Sequence, residues 1–164
     1  MRIASVCLLT LSLGIFIGCV PQTVNTAPPQ INSAVKASAE NSDLIVSIRL
    51  PKSRFVIGED VPITIVATNR SKGGLRFSNS TSAPYRIHLE KTTPLGWTTV
   101  KTYPEAAAMV LVEWSIPPGQ HRTIHTTLIA ERDWPTYENL RLRANLPGRP
   151  DVAPFVYLEV VPAK

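Results

Sequence analysis

Leu44-Ile45-Val46-Ser47-Ile48-Arg49-Leu50 and, after a short break, Val61-Pro62-Ile63-Thr64-Ile65-Val66-Ala67-Thr68-Asn69 decide the fold class of this chain. In both stretches every second residue is apolar: Leu44, Val46, Ile48 and Leu50 share one side, and so do Val61, Ile63, Ile65 and Ala67. A strand sends successive side chains to opposite faces, so a period of two predicts β-strands half buried against a core. Pro51 closes the first strand, Gly58-Glu59-Asp60 turns into the second, and Asn69 stops it. Pro62 has no N–H to give to a ladder, which places it in the first residues of its strand or at an edge.

Working outward, similar segments recur at short intervals. They are Tyr85 to Glu90, Trp97 to Thr102, Ala108 to Trp114, Arg122 to Leu128, Leu140 to Leu146 and Phe155 to Val161. Gly73-Gly74, Pro94-Leu95-Gly96, Pro117-Pro118-Gly119 and Pro147-Gly148-Arg149-Pro150 separate them, leaving pieces too short for good helices. Fifteen prolines argue further against a helical bundle. Seven to eight short strands spaced this way predict an all-β antiparallel sandwich over 43–164, with Trp114 packed between the sheets. The 44% hydrophobic composition suits one packed core, and 164 residues suit one domain.

The N-terminal residues read differently. Arg2 precedes an apolar run from Ile3 to Ile17 diluted by Ser5, Thr10, Ser12 and Gly14, the pattern of a signal peptide over 1–18 rather than a membrane span. Phe16-Ile17-Gly18-Cys19 resembles the lipobox of bacterial lipoproteins, with Phe16 where Leu is usual. The resemblance implies cleavage before Cys19, lipidation of its thiol and attachment to a membrane. Val20, rather than Asp, follows the anchor, which by the rule for that class implies the outer membrane in a double-membrane bacterium. Residues 19–42, rich in Pro, Thr, Ser, Asn, Gln and Ala, read as the lipidated Cys and a flexible tether with a reach of about 25 to 30 Å. The two cysteines are Cys7, inside the exported segment, and Cys19, so the mature domain is expected to hold no disulfide and no thiol chemistry. Removing Arg2 with residues 1–18 leaves sixteen basic against twelve acidic residues with no run of like charge, and no nucleic-acid partner is expected.

Phe55-x-x-Gly58-Glu59-x-Val61-x-Ile63-x-Ile65-x-Ala67-x-Asn69-x-Ser71, then Trp114-Ser115-Ile116-Pro117-Pro118-Gly119, then Leu142-Arg143-Ala144 resembles immunoglobulin-like domains of the bacterial intracellular proteinase inhibitor type. The likeness covers about residues 43–161. Leu140 stands where that family has Tyr and Glu138 where it has Gly, while Tyr137 lies three residues earlier. The resemblance implies an immunoglobulin-like sandwich and, as an alternative function, inhibition of a proteinase through an exposed loop, for which Gly73 to Pro84 is the candidate.

Catalytic patterns are missing. His121 and His125 lie four apart on a predicted strand, on one face but about 13 Å from each other at roughly 3.3 Å per residue, too far to share an ion. His88 alternates with apolar positions and is expected to face solvent. No serine lies in a Gly-x-Ser-x-Gly elbow, and Glu59-Asp60 and Glu131-x-Asp133 fall at predicted turns, where a carboxylate serves local backbone donors. No metal, no cofactor and no enzymatic activity are expected. The predicted role is binding in the cell envelope, to a protein partner or an extracellular ligand. Trp134 and Tyr137, on a loop, are the predicted contact residues, since loops on a rigid sandwich often carry function.

Overall fold

A computed structural model describes residues 33–164. Signal peptide, Cys19 and most of the predicted tether lie outside the described residues. Eleven strands and no helix make up the described chain: β1 (Val35–Glu40), β2 (Leu44–Leu50), β3 (Arg54–Val56), β4 (Asp60–Asn69), β5 (Leu75–Asn79), β6 (Arg86–Thr93), β7 (Gly96–Tyr103), β8 (Val112–Ile116), β9 (His121–Ile129), β10 (Leu140–Asn145) and β11 (Phe155–Val161).

They form a β-sandwich. One sheet runs β1-β2-β4-β9 and the other β3-β11-β10-β6-β7, with β5 and β8 pairing as a separate ribbon. The periodicity fixes which face each strand buries. Leu44, Val46, Ile48, Leu50, Val61, Ile63, Ile65 and Ala67 from the first sheet are essentially sealed from solvent, as are Ile87, Leu89, Leu140, Leu142, Ala144, Val156 and Val160 from the second. The inner faces of two such sheets bury each other at about 10 Å separation, which removes most of the apolar surface from water.

The strand count exceeds the seven to eight expected from sequence, because three strands carry too little pattern to be read. β1 lies inside the stretch read as tether and pairs with β2 from Val35↔Leu50 to Glu40↔Ile45. Its core-side residues are Val35, Ala37 and Ala39, two of them alanines that give almost no hydrophobic signal. β3 is three residues long and pairs in parallel with β11, so the sandwich is not wholly antiparallel. Between Leu50 and Arg54 the chain therefore leaves the first sheet and joins the second. β5 occupies Leu75–Asn79, within the segment expected as an exposed inhibitory loop, and pairs with β8. β8 in turn starts at Val112, not Ala108.

Asn69 closes the end of β4. Buried, it donates from Nδ2 to the Gly73 carbonyl at 2.7 Å and the Ile116 carbonyl at 2.8 Å, and its Oδ1 accepts from Ser71 N–H at 2.8 Å and Ser71 Oγ–H at 2.7 Å. One side chain thus ties the first sheet to the loop before β5 and to the end of β8. There Phe77 and Trp114, paired across the ribbon, stack with ring centroids 3.9 Å apart and 7° between planes. Trp114 is buried, as the sequence predicts. Replacing Asn69 by Ala leaves the buried Ile116 carbonyl without this donor and releases the half-buried Ser71 amide, so Asn69→Ala is expected to cost about 2–3 kcal/mol in urea unfolding, against about 1 kcal/mol for the packing change Ile65→Val. A smaller loss for Asn69→Ala than for Ile65→Val would remove Asn69 from this role.

Candidate functional site: an aromatic and arginine face

The inward alternation of the second sheet turns Glu90, His88, Trp97, Arg141, Arg143, Phe155 and Tyr157 to its outer face. Register brings them together. Arg141 pairs with Tyr157 on one side and Glu90 on the other, and Arg143 pairs with Phe155 and His88. Arg141 Nε donates to Glu90 Oε2 at 2.6 Å and Arg143 Nε to Glu90 Oε1 at 2.8 Å. Glu90 is only 3% exposed, so a carboxylate is covered on the solvent side of a sheet by the two guanidiniums it binds. Burial pushes the Glu90 carboxyl up, but the hydrogen bonds and charges of Arg143 and Arg141 outweigh it and hold the group below its ordinary value of 4.5.

Two rings cover Arg141 and a third abuts them. Its guanidinium carbon lies 4.2 Å from the Trp97 ring centre and 4.6 Å from that of Phe155. Tyr157 closes the group at 5.8 Å from Trp97 and 5.5 Å from Phe155. Held this way, Arg141 spends one N–H on Glu90, and among the described residues its terminal nitrogens make no other hydrogen bond. Tyr157 is 57% exposed. On one side of it lies an open concavity of about 510 Å³ lined by Thr92, Trp97, Asn139, Tyr157 and Glu159. On its other side is a more apolar one of about 520 Å³ between β1 and the start of β11, lined by Val35, Ala37, Ala39, Pro154 and Phe155. Such a face offers flat apolar area at low entropic cost together with fixed N–H donors.

The predicted contact residues separate. Trp134 is 2% exposed and belongs to the core, a correction to its expected place on the surface. Its loop folds under the sandwich, and Nε1 donates to Tyr103 Oη at 2.7 Å, while Tyr103 in turn donates to Glu131 Oε1 at 2.9 Å. Burial pushes the Tyr103 phenol up and keeps it protonated as that donor. Lys101 binds Glu105, Glu131 and Asp133, which hold its ammonium charged. This network is a structural tie between β7 and the loop after β9. Tyr137 is exposed, takes the left-handed conformation at φ 57° and donates its N–H to the Val160 carbonyl at 3.0 Å. It lies two residues before Asn139, which lines the concavity beside Tyr157.

His121 and His125 are exposed on β9, and His125 Nδ1 sits 3.3 Å from Thr64 Oγ1. His88 lies on the outer face of β6, as its alternation predicts, and is half buried there by its neighbours: its Nδ1 is 3.0 Å from Thr102 Oγ1, and burial followed by the charge of Arg143 pushes its pKa down. Glu59 accepts from Val56 N–H at 2.9 Å and from Lys52, which lower its pKa, and so serves its own turn. Among the described residues no helix is long and apolar enough to cross a membrane, and no group of three His, Cys, Asp or Glu could hold a metal. The Gly73–Pro84 segment is mostly occupied: Leu75 and Phe77 are buried, and Asn79 Nδ2 donates to Thr81 Oγ1 at 2.9 Å and to the Ala83 carbonyl.

No protein-family model and no curated protein sequence matches this chain. Among solved structures it is similar to the sporulation control protein Spo0M from Bacillus subtilis, at 15% identity and TM-score 0.54, over 76% of this chain and 51% of that one. It spans about half the length of Spo0M, and at this identity the likeness shows the fold alone. A weaker likeness, at 9% identity and TM-score 0.46, is to the alkylpurine DNA glycosylase AlkC from Pseudomonas fluorescens, over 68% of this chain and 28% of that one. Fold and face together define a β-sandwich module with an aromatic outer sheet.

The Glu90 pair sets an acid limit on stability. Its folded-state pKa lies below the unfolded one, so its contribution is fully present above about pH 4.5 and is lost as pH falls through the folded value. Urea midpoints measured from about pH 6 down to about pH 3 are expected to fall more steeply for the wild-type chain than for Glu90→Gln. Parallel slopes would show that the pair does not couple to folding.

Proposed function

We propose that this chain is a non-enzymatic lipoprotein, held to a membrane by lipid on Cys19, whose immunoglobulin-like sandwich binds a protein or an extracellular ligand in the cell envelope. The observation that supports this reading is the cluster of Trp97, Phe155 and Tyr157 around Arg141 on the outside of a sheet whose inside already holds the core. The rings supply contact area, and Arg141 supplies donors suited to a carboxylate or a backbone carbonyl. The lipobox-like Phe16-Ile17-Gly18-Cys19 and the residue Val20 support attachment to the outer membrane where the cell has two.

Crosslinking in intact cells, with mass spectrometry of the captured material, tests both halves of the proposal. The wild-type chain is expected to capture one reproducible partner, and Cys19→Ala to leave the membrane fraction and lose it. Tyr157→Ala, at an exposed ring, is expected to keep the thermal midpoint while capture falls about tenfold, the scale of a lost interface anchor. Equal capture by Tyr157→Ala would remove this face from the function, and membrane retention of Cys19→Ala would remove the anchor.

A further inference from the structure

Lys36, Arg49, Thr64 and His125 are far apart in sequence, and register lays them side by side. Lys36 pairs with Arg49, Arg49 with Thr64 and Thr64 with His125, one residue from each strand of the first sheet. All four belong to the set that points away from the core: Lys36, Arg49 and His125 are exposed and Thr64 is half buried. Lys36 and Arg49 are like charges directly opposed on adjacent strands, an arrangement that destabilises a sheet. Neither forms an ion pair among the described residues. Ser38, Ser47, Val66 and Thr123 flank the row on one side, with Pro62 and Thr127 on the other, so no carboxylate of the ladder stands next to it. The acids of that face on β1 and β4, Glu40 and Asp60, lie four residues along their strands, about 13 Å away. Glu40 already binds Arg70. The face thus carries an uncompensated positive row edged by hydroxyls.

What meets the row follows from its width and from where the chain enters the fold. Three strand spacings separate Lys36 from His125, about 14 Å in all, too far to close on one phosphate. The matching ligand is an array of anions in a plane. Lys36 is the second residue of β1 and stands seventeen residues after Cys19. However those residues run, they hold Lys36 within about 60 Å of an anchor on Cys19. Headgroups around the anchor are therefore in reach at the high effective concentration of an intramolecular contact. An anionic bilayer surface favours each nearby Lys or Arg by about fivefold, and serine and threonine hydroxyls donate to phosphate oxygens.

We infer that the outer face of the first sheet docks on the anionic phospholipid headgroups of the membrane that holds the chain, with Lys36 and Arg49 on the phosphates. Which surface it meets rests on the proposed anchor at Cys19. The two outer faces of a sandwich point in opposite directions, so docking by this one turns Arg141 and Tyr157 away from the bilayer and leaves them open to a partner.

The chain from Cys19 onward holds every described strand and a single cysteine. Coupling that thiol to a maleimide lipid in vesicles supplies the anchor chemically. Lysine acylation, read by mass spectrometry, is compared between vesicles of phosphatidylglycerol and phosphatidylcholine in equal parts and vesicles of phosphatidylcholine alone, with Lys91 on the other sheet as reference. Lys36 is expected to react about tenfold more slowly on the anionic vesicles, and the protection to vanish at about 0.5 M salt. Arg49→Gln is expected to lose about fivefold of that protection while its thermal midpoint stays unchanged or rises, because an opposed like charge is gone. Equal acylation of Lys36 on the two kinds of vesicle, protection that survives salt, or full protection in Arg49→Gln would each overturn the inference. Protection by polyphosphate in solution with none on vesicles would overturn it in favour of a soluble polyanion. Absence of lipid on Cys19 in cells would remove the natural anchor without altering this result, so the two failures are distinguishable.

Discussion

Strand β4 is paired on both sides over its second half, to β2 from Leu44↔Asn69 to Arg49↔Thr64 and to β9 from Asp60↔Ile129 to Thr68↔His121. Its inward set Val61, Ile63, Ile65, Ala67 and Asn69 is almost completely sealed. A slip of one residue against either neighbour would turn that whole set to solvent, so register is the constraint on which the remaining structure depends. Asn69 fixes the end of that register with its side chain. Through Ile116 and Gly73 it also decides where the small ribbon of β5 and β8 sits, although no ladder joins the ribbon to either sheet.

The second sheet solves a different problem on its outer side. Arg141 and Arg143 stand two apart on β10, and without a counter-charge they would repel each other across one strand repeat. Glu90 on the neighbouring strand accepts from both. The rings of Trp97 and Phe155 then cover the guanidinium of Arg141. The aromatic face is thus rigid before any ligand arrives, because the charge network beneath it is satisfied.

Strands with strong alternation were legible in the sequence: β2, β4, β9, β10 and β11 lie within a residue or two of where the period of two places them, and β6 begins one residue late and runs three beyond Glu90. The strands that escaped are those whose inward positions are small or few, the alanines of β1, the single Phe55 of β3, and Leu75 and Phe77 of β5. The error at Ala108–Leu111 ran the other way, since Met109, Val110 and Leu111 continue the apolar run of β8 toward its N-terminal side while the ladder with β5 begins only at Val112. For the site, local sequence was a poor guide. Trp134 sits in a loop beside a proline, yet it is buried in the core, where its indole N–H donates to the hydroxyl oxygen of Tyr103, thirty-one residues earlier. The outer cluster draws Trp97, Arg141, Phe155 and Tyr157 from three strands, and only cross-strand register shows that they meet. A signal was present in Arg141 and Arg143 alternating with Leu140 and Leu142, which marks a charged outer row on a strand needing an acid nearby.

β1 lies at the rim of its sheet, paired along its six residues with β2 and entering at the end opposite the Ala106–Leu111 segment. Asn41 Nδ2 at its far end bonds Asp151, and Glu40 bonds Arg70. Tension applied between the start of β1 and that opposite end runs parallel to the strands. The bonds between β1 and β2 are then loaded together in shear instead of opening one after another as in peeling, so a pull along the strands is resisted by all of them at once and a pull across them is not.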